Sequence, residues 1–273
     1  MPSLNERRLR AEFIALSASN RRAMKSVKRD LSALSKSGVL KGQFEVFRVN
    51  YCFRSVTTVS SVAATVAAAL TAEPARIELA KRVTYGALLE ELGAPLRPSR
   101  AVQWLGEFGP SHPELLAQCL DIFGEHAFGL PAFAIEDVEQ YPAVKKFAQR
   151  YRRKQTALFS PGDLIRVLSA AFAQEMAADG MLRTIQDGLF KPLFSRVPWP
   201  LLQQAMQYFD VHLSEKLGEV ELQHGNEAWE NLFSELQRSP GKVSESLATA
   251  AKSFELQSNF FLSLVDAMKR TIA

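Results

Sequence analysis

Tyr208-Phe209-Asp210-Val211-His212-Leu213-Ser214-Glu215-Lys216-Leu217-Gly218-Glu219-Val220-Glu221-Leu222-Gln223-His224 holds two of the chain's four histidines, with glutamates and one glycine between them. Imidazole and carboxylate together suit borderline and hard metal ions. On a helix Glu221 and His224 stand at i and i+3, so both side chains can reach one point. Helical bundles that hold paired metals use that same step on their inner faces. The alternative is an amphipathic helix with a solvated acidic face, and the rest of the chain bears on the choice.

Working outward, nearly every segment reads as helix. Residues Leu4 to Leu34 are rich in Ala, Leu, Arg and Lys and meet no Pro or Gly before Gly38. Gln43 to Leu70 carries Phe44, Phe47, Tyr51 and Arg54 at helical steps, then a tail of small residues suited to close packing. Thr71-Ala72-Glu73-Pro74 predicts a break and restart with Pro74 in a first turn. A third helix bearing Ile77, Leu79, Val83, Leu88 and Leu89 ends at Glu90-Glu91-Leu92, with Gly93 as a left-handed cap.

A short helix is expected near Ala101 to Glu107, and Ser111-His112-Pro113-Glu114 reads as a helix start. Phe123 to Leu130 reads as a turn. Ile135 to Gln155 reads as helix interrupted near Pro142, and Ser160-Pro161-Gly162-Asp163 opens a helix running past Glu175 to Gly180 or Gly188. Trp199-Pro200 opens one long helix through both histidines. Ser239-Pro240-Gly241 breaks it, and Val243 to Thr271 closes the chain. Strand-like alternation, hairpin dipeptides and fixed-period repeats are missing from the pattern. The expectation is one all-α domain over residues 1–273.

Composition narrows the function. At 47% hydrophobic and 23% charged, the 273 residues suit an ordinary globular core. Basic clusters at Arg7–Arg10, Arg21–Arg29 and Arg150–Lys154 lack the aromatic interleaving of a nucleic-acid groove and read as wet helix faces, so no nucleic-acid partner is expected. Cys52 and Cys119 have no paired spacing and read as buried free thiols. The run Val62 to Leu70 falls short of the ~20 residues that span a bilayer, and the charged start from Glu6 lacks a secretory signal. A cytoplasmic protein with no membrane partner is therefore expected. Nucleophile triads, phosphate loops and zinc-type cysteine pairs do not compete.

Candidate ligands lie in several helices. Glu91 closes the third helix and His112 opens the next long one. Glu175 stands among Ala171, Phe172, Ala173, Met176 and Ala177, where an unpaired carboxylate is costly to bury. His212, Glu221 and His224 follow, while His126 has no partner in register and is set aside.

Three stretches resemble the haem-oxygenase-like superfamily of helical proteins, in its non-haem di-iron oxidase and oxygenase branch. Tyr85-Gly86-Ala87-Leu88-Leu89-Glu90-Glu91-Leu92-Gly93 with Ser111-His112-Pro113-Glu114 looks like its first Glu and His. Phe172-Ala173-Gln174-Glu175 is placed like its lone Glu. Tyr208 to His212 with Glu221-Leu222-Gln223-His224 looks like its final helix.

The register departs from the family there. Counted from His212, Lys216 stands at the acid position and Glu219 at the second His; counted back from His224, Glu221 fits and Leu217 stands at the first His. His212 and Glu221 are half a turn out of phase on a straight helix. A break at Gly218 would bring both faces to one cavity; without it His212 pairs with Glu215 or Glu219.

The resemblance implies a haem-oxygenase-like bundle with Glu91, His112, Glu175, His212, Glu221 and His224 as ligands to two ferrous ions, manganese being the nearest rival. It implies activation of O2 to oxidise a small molecule, such as an amine or amino-acid-derived metabolite, in biosynthesis. Tyr51 and Arg54 are candidates for holding that substrate. The alternatives are a metal-independent relative, a thiamin-fragment hydrolase or quinone-cofactor oxidase, and a non-catalytic helical binding protein. A homodimer through the final helix is compatible with either.

Overall fold

The computed structural model describes residues 4–94, 109–213 and 220–271, with the side chains of residues 136 and 220–222 outside that description. The expected short helix near Ala101 to Glu107 and the expected break at Gly218 lie outside the described residues. Everything regular among the described residues is helical.

Helix α1 (Glu6–Ser37) starts on Asn5, whose side chain accepts from the Arg8 N–H, and α2 (Lys41–Thr71) follows after a three-residue turn. Pro74 is not in a first turn: α3 (Ile77–Val83) starts after Arg76, which the Glu235 carboxylate holds at 3.0 Å. A π-helical turn (Thr84–Leu88) leads into the last turn, α4 (Leu89–Glu91). Gly93 does cap this segment, at φ 88°. Its carbonyl accepts from Gly109 N–H at 2.9 Å, and a Cβ on Gly93 would lie 2.3 Å from the Gly109 oxygen. Only glycine tolerates both demands.

Helix α5 (His112–Phe128) opens on a capping box between Ser111 and Glu114 and closes on Gly129 at φ 59°. The turn expected over Phe123 to Leu130 is therefore helix for most of its length. Gly124 lies inside the helix, where an added Cβ would meet the Arg48 guanidinium at 3.0 Å. The segment Ile135–Gln140 is a 3-10 turn, and α6 (Lys146–Leu158) begins only after Pro142. Asp163 caps α7 (Leu164–Ile185), which passes through a second π turn (Gln186–Phe190).

The long helix expected from Trp199 is two helices, α8 (Trp199–Leu213) and α9 (Val220–Arg238). Their Cα atoms approach within 8 Å. Residues seven or more apart on a straight helix are at least ~10 Å apart at 1.5 Å per residue, so the two do not form one rod. The closing helix is α10 (Val243–Arg270).

Two aromatic clusters hold the bundle. One gathers Phe44, Phe47, Tyr51, Phe123, Phe190 and Phe209 from α2, α5, α8 and the turn after α7. The other gathers Phe13, Phe172, Trp229 and Phe233 from α1, α7 and α9. Helix α2 is long and apolar enough to cross a membrane by length and composition; here Phe44 to Arg54 form the buried centre of the fold. Cys52 and Cys119 are buried and unpaired as expected, and burial pushes both thiols up.

Candidate metal centre

Glu91, His112, Glu175, His212 and His224 line one cavity of about 60 Å³. Each comes from a different helix, in order α4, α5, α7, α8 and α9. The Glu221 side chain lies outside the described residues. Exposed His126, at the far end of α5, is not on the cavity wall.

Packing explains the convergence. Helices α5 and α8 lie side by side, with His112 at the start of one and His212 near the end of the other. Their rings meet edge to face, 4.5 Å between centroids. Helix α7 packs on α9, bringing the Glu175 carboxylate to 4.0 Å from His224 Nδ1. Glu91 Oε1 stands 3.4 Å from His112 Nδ1.

Glu90 was not among the residues singled out from sequence. Neighbours on a helix point about 100° apart, yet both glutamates face inward. They can because α4 ends between two helices, so Glu91 turns to α5 and Glu90 to α9. Glu90 Oε2 lies 3.1 Å from His224 Nε2. The π turn just before them is the kind of irregularity that re-aims side chains at functional sites. The adjacent pair Glu90-Glu91 at a helix end is visible in the sequence; only the tertiary neighbours show that each stands beside a histidine.

Burial pushes the Glu91 carboxyl up, but the adjacent His112 imidazole at 3.4 Å and the charges of His212 and His224 outweigh it and hold the group below its ordinary range. It is a carboxylate at neutral pH.

Arg54 lines the cavity and is 4% exposed. It donates to Gln257 Oε1 at 2.7 Å, and Gln257 donates in turn to the Tyr151 hydroxyl at 3.0 Å. Tyr51 is not on the cavity wall. It sits one layer behind, its hydroxyl 3.2 Å from that of Tyr208, which does line the cavity. Burial, then the neighbouring Tyr51, pushes the Tyr208 phenol well up, so it stays protonated.

Does this donor set fit a metal? Among the described residues no group of three His, Cys, Asp or Glu side chains stands close enough together to hold a metal ion as placed. The residue types nevertheless fit, with three imidazoles and two carboxylates lining one small cavity and Glu90 beside it on His224. Glu90 Oε1 is buried and has no hydrogen-bond partner among the described residues, a costly state for a carboxylate oxygen that a nearby cation relieves.

A second cavity of about 320 Å³ shares Gln174, Glu175 and His224 with the first. Its other walls include Val62, Val83, Ala87, Phe159 and Leu168, with Arg82 and Glu227 also present. The first cavity has room for small species only, whereas the second falls within the range of small-molecule sites, ~300–1,000 Å³.

No family model matches the sequence, and no curated protein sequence matches it. The fold is similar to that of a CADD-like protein of unknown function from Nostoc punctiforme, known from its crystal structure. The TM-score is 0.63 at 16% identity, over 94% of this chain and 98% of that one. At that identity the likeness is one of fold, and the all-helical bundle expected from sequence is the one found.

Proposed function

We propose that this protein is an iron-dependent oxidase or oxygenase acting on a small organic substrate. The carrying observation is that five imidazole and carboxylate side chains, each from a different helix, line one small cavity. The CADD-like fold supports the reading, because CADD belongs to the haem-oxygenase-like di-iron proteins. Glu91, His112, Glu175, His212 and His224, with Glu221, would hold two ferrous ions; manganese is the nearest rival for this donor set. When bound, such ions supply the electrons and open positions that reduce O2 for attack on an amine or C–H bond.

The chain's own residues do the rest. Glu90 accepts from His224 Nε2–H and so presents Nδ1 toward Glu175; carboxylate partners orient metal-bound histidines in this way. Glu91, held ionised beside His112, would act as a ligand itself. Arg54 places a fixed positive charge in the cavity wall that would receive a substrate carboxylate, with Gln257 fixing its direction. Tyr208, held by Tyr51 from behind, keeps a phenol O–H at the wall. The adjoining apolar chamber would take the substrate body and exclude water. Substrate and O2 are the partners in this reading.

Oxygen uptake by protein reconstituted anaerobically with ferrous iron tests it. Wild type should bind iron and consume O2, and Glu175→Ala should do neither. Full occupancy and uptake in Glu175→Ala would overturn the assignment. A second reading keeps the imidazole–carboxylate pairs His112–Glu91 and His224–Glu90 as acid–base pairs of a metal-free enzyme. Turnover undiminished after chelation would favour it.

A further inference from the structure

Away from the candidate metal centre, α6 and α10 splay apart to leave an open cavity of about 680 Å³. Phe147, Arg150, Tyr151, Lys154 and Leu158 turn one face of α6 into it, at helical spacing. Lys252, Glu255, Leu256 and Asn259 do so from α10, and Arg166 reaches in from the start of α7. Four cations therefore surround one carboxylate.

The floor is apolar. Phe260 packs against Phe147 with centroids 5.5 Å apart and against Tyr151 at 5.1 Å. Among the described residues Arg150, Lys154 and Lys252 make no ion pair. Arg166 donates Nη2 to the Ser160 carbonyl at 2.9 Å, while its Nε is buried with no hydrogen-bond partner among the described residues. A buried guanidinium N–H without an acceptor costs free energy that an anionic oxygen would recover.

We infer that this groove is a second binding site, for an organic anion with a flat apolar body. The carboxylate or phosphate head would meet Arg166 and the flanking cations, and the body would lie on the partly exposed Phe147 and Leu158. Positive charge excludes cationic ligands of the same shape. The volume lies in the range of small-molecule sites, ~300–1,000 Å³. The inference does not depend on the metal reading.

Calorimetric titration of the full chain with 2-naphthoate, 2-naphthyl phosphate, 2-naphthol and 2-naphthylmethylammonium tests it. The expected result is one site per chain for the anions and at least ten-fold weaker binding of the alcohol and the ammonium. Binding of only the phosphate would assign the head group to phosphate esters, and binding of both would assign it to acids generally. Lys154→Glu with Lys252→Glu, both exposed and so safe for folding, should weaken the anions at least ten-fold; Arg166→Gln should do the same, with unchanged circular dichroism. Equal binding of cation and anion, unaltered affinity in the charge-reversed protein, or no binding by either anion would each overturn the inference.

Discussion

Replacing Glu90 by glutamine keeps the size of the side chain and removes its charge. The wild-type carboxylate sits 3.1 Å from His224 Nε2, both groups being mostly buried. A hydrogen bond to a charged group in such surroundings contributes ~1.5–3 kcal/mol. Removing a carboxylate that orients a metal-bound histidine typically costs 10–100-fold in metal affinity, or ~1.4–2.8 kcal/mol. The two routes agree, so Glu90→Gln should weaken ferrous binding by one to two orders of magnitude. Competition against a chromophoric chelator under nitrogen reads this directly. Glu91→Gln, which alters a ligand itself, should lose more. The reasoning fails if Glu90→Gln binds iron within two-fold of wild type while its unfolding midpoint is unchanged.

Glu221→Ala and His224→Ala should each strip reconstituted iron, measured per chain by mass spectrometry, while exposed His126→Ala should retain it; the reverse pattern would discredit the ligand set. Trp229 is 1% exposed, stacks on Phe233 and donates to Glu6 at 3.0 Å. Trp229→Ala should therefore cost ~3–5 kcal/mol in urea unfolding, and a loss under ~1 kcal/mol would show that the second cluster is not a packed core. Burial, opposed by the Phe133 N–H and Arg48, lifts Asp121 from 3.8 to about 6. A raised folded value favours the fold at low pH and loses that contribution as pH rises through about 6. Wild-type stability should thus fall by up to ~3 kcal/mol relative to Asp121→Asn between pH 4 and 7; parallel profiles for the two proteins would refute it.

Helix content and most helix starts were legible in the chain, because they depend on neighbours a few residues away. Ser111 and Asp163 accept from their own first turns, and Gly93 sits at positive φ where the pattern stops. Errors arose where distant packing overrode local preference. The glycines of Phe123 to Leu130 read as a turn, but α5 runs on through Gly124, packed against Arg48, to Phe128. Pro74 reads as a helix start, but Arg76 is anchored by Glu235 and α3 begins after it.

The site divides along the same line. Residue type and order singled out Glu91, His112, Glu175, His212 and His224, since carboxylates and imidazoles on apolar helices are few. Glu90 could not be separated from Glu91 by sequence, because both close the same turn and only the placement of α5 and α9 gives each a partner. Spacing along the chain alone also left His212 and Glu221 half a turn out of phase. Sequence specifies which donors each helix carries, since that is a matter of local periodicity. Which donors share a cavity is set by how α8 and α9 fold back on one another and on α4, and that geometry belongs to contacts between residues far apart in the chain.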